Sequence, residues 1–165
     1  GIDKEVGRPN KIAIRLNQLG NVYMNCYQLQ EAIRCEREAY SYFEKAGSKY
    51  GMSIVLHSLG DMNELENEID SAIFYYEKSL EYAKSIQNRL LIKDISKSLY
   101  KVYEEINPRL AIDYFEQYVD IKDSIFNEKN QKMLNDFQVR YNTREKDLDT
   151  ELYKNNYQYN RHLFR

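Results

Sequence analysis

Tryptophan is absent, and 165 residues contain only six glycines and two prolines. So few chain breakers exclude a turn-rich all-β chain and favour long helices. Cysteine is scarce as well. Cys26 and Cys35 meet neither the needs of a disulfide framework nor the four ligands of a structural zinc site. They read as small apolar residues in helix packing. No stretch approaches the ~18 consecutive apolar residues of a membrane span. No apolar signal segment stands at the start, so any targeting sequence is expected outside these residues. An excess of one charge is also missing. The 24 basic and 26 acidic residues leave a formal charge of −2, which argues against the clustered basic face that nucleic acid needs.

What is present is 42% apolar content, enough for one compact core, and an internal repeat. "LNQLGNVY" (residues 16–23), "LHSLGDMN" (56–63) and "SKSLYKVY" (96–103) align at intervals of 40 residues. A second block follows each: "EAIRCEREA" (31–39), "SAIFYYEKS" (71–79) and "LAIDYFEQY" (110–118), spaced by 40 and then 39 residues. The third turn is therefore one residue shorter, and Asn107-Pro108 fills it. Pro suits the first position of the following helix.

Each unit reads as two antiparallel helices. Leu16, Leu19, Gly20 and Tyr23 recur at three- and four-residue spacing, one helical face, as do Ala32, Ile33, Ala39 and Phe43 in the second helix. Gly20 and Gly60 lie inside helices, where Gly costs about 1 kcal/mol relative to Ala. Close approach to Ala32 and Ala72 is the simplest offset. Gly20, Ala32, Gly60, Ala72, Tyr103 and Ala111 are thus the expected hairpin-packing residues.

The pattern resembles the tetratricopeptide repeat. Its large residue, Leu-Gly and Tyr, then Ala, aromatic and Ala, are matched by Leu16, Leu19, Gly20, Tyr23, Ala32 and Ala39. Leu56, Leu59, Gly60, Ala72 and Tyr76 follow in unit two, and Leu99, Tyr103, Ala111 and Phe115 in unit three. The family's usual period is about 34 residues, so a 40-residue period looks like a longer-helix variant. The resemblance implies an all-α, right-handed solenoid of three helical hairpins, at about residues 10–47, 48–87 and 88–126. Four positions depart from the pattern. Glu36 replaces the aromatic of unit one and Asn63 the Tyr of unit two, while Tyr100 and Tyr118 stand where Gly and Ala are expected. The last two predict a wider third hairpin.

Residues 127–165 are charged and free of Gly and Pro, and read as a long C-terminal capping and projecting helix. Asn127 is a plausible N-cap with Glu128 in the first turn. Met133, Leu134, Phe137 and Tyr141 form a stripe expected to cover the last hairpin, as a solenoid end requires. A helix of some 32 residues spans roughly 48 Å at 1.5 Å per residue, about twice a repeat helix. The remainder must project, fold back or pair with another chain. Phe137, Tyr141, Leu148 and Leu152 make a weak coiled-coil seam, interrupted by Arg144, so a homodimer through this helix is one expectation. The stretch "YVDIKDSIFNEKNQKMLNDFQVRYNTREKDLDTELYKNN" (118–156) also resembles the junction in bacterial membrane-anchored regulators. In those, repeats lead through a long helix and one membrane span to a helix-turn-helix or histidine-kinase output. The resemblance implies the extracytoplasmic part of an inner-membrane protein, with the membrane reached only through a following segment.

Catalytic constellations are wanting. His57 and Asp61 lie four residues apart on one helix, half a metal site without a second half; an intrahelical contact is the plainer reading. No phosphate loop, GxSxG or CxxC occurs. No enzyme, no cofactor and no metal is therefore expected. The sixteen tyrosines read as packing residues with wet hydroxyls. A groove is the better candidate. First helices line the concave side of a helix-pair solenoid, and the positions between their packing residues are Asn17 and Asn21, His57 and Asp61, and Lys97 and Lys101. The amides suit a peptide backbone and the lysines a carboxylate; a plain solvated stripe would look the same. Two functions follow as expectations: a non-catalytic protein- or peptide-binding sensor domain of a bacterial signal-transduction regulator, or a stand-alone cytoplasmic scaffold or adaptor. No nucleic acid is expected to bind these residues.

Overall fold

The computed structural model describes the backbone of residues 2–163 and the side chains of residues 8–140 and 142–154. Among the described residues there are six helices and no strand: α1 (Ile2–Asn25), α2 (Leu29–Lys45), α3 (Lys49–Leu65), α4 (Ile69–Ser85), α5 (Arg89–Ile106) and α6 (Pro108–Leu163). They divide into two compact units, Gly1–Lys122 and Asp123–Arg165.

In the first unit the helices pack in consecutive pairs, α1 with α2 and α3 with α4, and each pair also meets the next through α2/α3 and α4/α5. The start of α6 packs on α5: Tyr103 and Tyr114 stack at 5.8 Å between ring centroids, and Ser96 donates to Gln117 at 2.7 Å. The apolar faces merge into two core clusters. One holds Ala32, Ile33, Phe43, Met52, Val55, Leu59 and Met62; the other holds Tyr76, Leu80, Ile95, Leu99 and Val102. A wholly buried side chain such as Ile95 or Leu99 contributes about 2 kcal/mol.

One turn is used four times. Tyr27, Gly47, Asn67 and Gln87 occupy the left-handed region at φ 59°, 65°, 61° and 54°. After each, the next amide reaches back five residues: Gln28 to Tyr23, Ser48 to Phe43, Glu68 to Asn63 and Asn88 to Ala83, at 2.8–3.0 Å. This is the Schellman closure, which satisfies the last carbonyls of a helix. The fifth turn differs. Asn107 sits at φ −147° and its side chain accepts the Leu110 amide at 3.3 Å, with Pro108 opening α6. Ser48 and Asn88 cap α3 and α5 by accepting from Gly51 and Leu91.

Inside the pairs the side chains nearest the glycines are long ones. A Cβ on Gly20 would stand 2.6 Å from Oε1 of Glu36, and one on Gly60 would run into the Tyr76 ring. Ala32 and Ala72 are fully buried, but the residue one turn further along the second helix is the one laid over the glycine. The side chain nearest each of these glycines is thus a long one, set one turn beyond the alanine. Tyr103 is half-buried and Ala111 buried. Cys35 is buried, yet Cys26 is exposed, so only one thiol is a packing residue.

The second unit lies within α6. No helix begins at Asn127, because no Gly or Pro interrupts the chain after Pro108 and the helix runs on to Leu163. Met133, Leu134 and Phe137 are 64%, 57% and 67% exposed, so the burial expected of a capping stripe is not found. The Tyr141 side chain lies outside the described residues. Local hydrogen bonds here run from Thr143 to the Val139 carbonyl and from Thr150 to that of Lys146. No helix among the described residues is long and apolar enough to cross a membrane.

Candidate functional site

The six first-helix positions do not form one free stripe. Asn17 is turned into its own pair: Nδ2 donates to both carboxylate oxygens of Glu36 at 2.9 and 3.0 Å. Glu36 has no exposed surface. Burial pushes its carboxyl up to about 7, and the Asn17 hydrogen bonds oppose that rise. The aromatic missing from unit one is thus a buried acid satisfied by an amide.

His57 and Asp61 are engaged as well. His57 Nε2 shares a 2.9 Å hydrogen bond with the Ser98 hydroxyl of α5 and lies 3.8 Å from the Asp61 carboxylate. The Tyr76 hydroxyl of α4 lies 2.7 Å from both the Asp61 and the Glu64 carboxylates and can donate its one proton to either. Burial raises the Asp61 carboxyl, while His57 and the Tyr76 bond draw it down. The network ties α3, α4 and α5 together across two pairs, so these polar groups serve packing. Asn21 is half-buried, and Lys97 and Lys101 are exposed. Only the lysines stand on the surface as the sequence suggests. Among the described residues no three His, Cys, Asp or Glu side chains converge as a metal site.

A cavity of about 380 Å³ opens elsewhere, between α2 and α4, with α3 as its floor. Leu56 and Leu59 form the base, Tyr40, Tyr75 and Tyr82 the walls, and Phe74, Arg37 and Lys78 the rim. Phe74 is 57% exposed. The Tyr40 and Tyr82 hydroxyls meet at 3.4 Å across the gap, and burial, helped by Tyr82, pushes the Tyr40 phenol up to about 12. Lys78 reaches Glu81 at 3.2 Å, whereas Arg37 is exposed on the opposite lip. An apolar base with aromatic walls accepts a branched or flat apolar group, and two cations at the rim suit an adjacent anion.

Sequence reasoning missed this cleft because it lies on the second helices, where the tyrosines read as packing groups. The signal was "RCEREAY" followed forty residues later by "FYYEKSLEY", each of which puts a cation and an aromatic on a second helix. A second cleft of about 480 Å³ lies on the third pair, between Tyr100 and Glu104 of α5 and Pro108, Ala111, Ile112 and Phe115 of α6. Tyr100 packs edge-on against Phe115 at 5.3 Å. Tyr100, the bulky counterpart of Gly20 and Gly60, therefore borders open space.

No protein-family model matches the chain, and no curated protein matches it.

Proposed function

We propose that the chain is a non-catalytic, tetratricopeptide-like repeat module that binds a protein or peptide segment in the cleft between α2 and α4. The carrying observation is the contrast between two surfaces. The first-helix polar residues Asn17, His57 and Asp61 are consumed by bonds between helices. The second-helix cleft instead keeps apolar walls and two rim cations for an outside group. Its chemistry selects a segment with an aromatic or long aliphatic anchor next to Asp or Glu. Lys97 and Lys101, exposed on α5, form the competing anion site.

Two settings fit this reading. The resemblance of residues 118–156 supports a sensor region whose terminal helix carries occupancy of the cleft onward to a membrane-anchored output. The stand-alone adaptor needs no following segment. The full gene product separates them, through an apolar stretch of ~20 residues after Arg165 in the first case only.

The test is selection of displayed random peptides on the full chain. Expected binders carry an aromatic or aliphatic anchor beside an acid, and Arg37→Glu/Lys78→Glu weakens them at least tenfold while Lys97→Ala/Lys101→Ala does not. Binders that respond only to the Lys97/Lys101 pair move the site to α5. Failure to select any binder retires the reading.

A further inference from the structure

The described part of α6 beyond Lys122 carries large apolar side chains with no cover. Phe126, Met133, Leu134, Phe137, Leu148 and Leu152 are between 57% and 67% exposed. They share one face. Phe126, Phe137 and Leu148 recur every eleven residues, and Leu152 stands four beyond Leu148. An eleven-residue period, 3.67 per turn, keeps a stripe nearly straight on an α-helix, unlike a heptad. Most helical stability in proteins comes from packing an apolar face. A continuous exposed patch of this kind marks an interaction site.

Charge and symmetry identify the occupant. Met133 and Phe137 line a shallow hollow of about 360 Å³ with Lys129, Lys132 and Arg140, and Asp136 is the one acid there. Leu148 and Leu152 are flanked by Glu145, Asp147, Asp149 and Glu151, with Lys146 the one base from 145 to 151. The basic apolar patch and the acidic apolar patch are complementary. They also lie symmetrically: Phe137 and Leu148, and likewise Met133 and Leu152, are equally far from the peptide bond between Asn142 and Thr143.

We propose that this stripe is the pairing surface for a second copy of the chain, joined antiparallel about the bond between Asn142 and Thr143. Phe137 then meets Leu148 of the other copy and Met133 meets Leu152, while basic segment lies over acidic segment on both sides of the two-fold axis. Parallel pairing in register would set like charge against like and bring Arg144 onto its own copy in the seam, which is destabilising. The antiparallel register places Arg144 opposite position 141 instead. Two chains joined this way send their C-termini in opposite directions. That suits an adaptor, and is incompatible with two spans entering one membrane side by side.

The test uses the full chain with the exposed Cys26 replaced by Ser. Sedimentation is expected to give a dimer that weakens as salt rises and that Phe137→Glu weakens at least tenfold without lowering the melting of the helix pairs. Under mild oxidation a mixture of Phe137→Cys and Leu148→Cys chains should link to each other, and neither variant to itself. Monomers at high concentration overturn self-pairing, and self-linked Phe137→Cys overturns the antiparallel register. Peptide selection on the cleft is independent of either result.

Discussion

The Asn17 amide holds both oxygens of the Glu36 carboxylate, at 2.9 and 3.0 Å, directly over Gly20 and out of contact with water. In the second pair the same position over Gly60 is a tyrosine ring. One architecture thus accepts a buried acid or an aromatic, depending on what the opposing helix offers.

The acid makes stability depend on pH. Its carboxyl titrates at about 7 in the fold against 4.5 outside it, so the folded chain holds the proton more tightly. The stabilising contribution is complete below about 4.5 and is lost as pH rises through about 7. It amounts to about 3 kcal/mol. Urea unfolding at pH 5.5 and pH 8 should show wild type losing stability at the higher pH. Glu36→Gln should flatten that difference and exceed wild type at pH 8. An unchanged pH dependence in the variant would show that Glu36 does not titrate in this range.

Glycine substitutions separate the two pairs. The Cβ of Gly60→Ala enters the Tyr76 ring, which is wholly buried and has nowhere to go. Overpacking of that kind costs roughly 1–3 kcal/mol, against a gain of about 1 kcal/mol in helix propensity. Gly20→Ala meets the end of the more flexible Glu36 side chain. Thermal melting should therefore rank Gly60→Ala below Gly20→Ala, and the reverse order would be fatal to this account.

Backbone strain gives a third expectation. Gly47 has open space around it but φ of 65°, so Gly47→Ala should destabilise by about 1 kcal/mol through conformation alone. At the equivalent turn Gln87 adopts φ 54°. Gln87→Gly should relieve a similar amount, checked by the shift in denaturation midpoint at constant slope.

For the cleft, the measurable quantity is affinity for a selected peptide. Phe74 is 57% exposed at the rim, so Phe74→Ala should leave the melting temperature almost unmoved. The same change should cost the anchor contact about 1–2 kcal/mol, a five- to thirtyfold loss in Kd by titration. A loss of fold accompanying any loss of binding would instead assign Phe74 to the core.

Much of the molecule was legible in its residues, and the failures are instructive. The repeat blocks at 16–23, 56–63 and 96–103 locate α1, α3 and α5, because an amphipathic helix writes its buried face into three- and four-residue spacing. The Pro108 start of α6 is readable for the same local reason. The left-handed turns at Tyr27 and Gln87 are not, since only Gly47 and Asn67 among the four carry residues that favour that region. Polar stripes mislead more seriously. His57 and Asp61 look like surface groups four residues apart, yet Ser98 and Tyr76 reach them from other helices.

Local spacing along the chain determined that these residues form helices and that the helices come in pairs. Those outcomes rest on hydrogen bonds and side-chain periods within a few residues of each other. Only the tertiary structure decided that Glu36 rather than Ala32 lies over Gly20, that Asn17 turns inward, and that the open cleft falls between α2 and α4. These depend on how far one helix is rotated and displaced against another, a quantity set by the packing of many distant side chains at once.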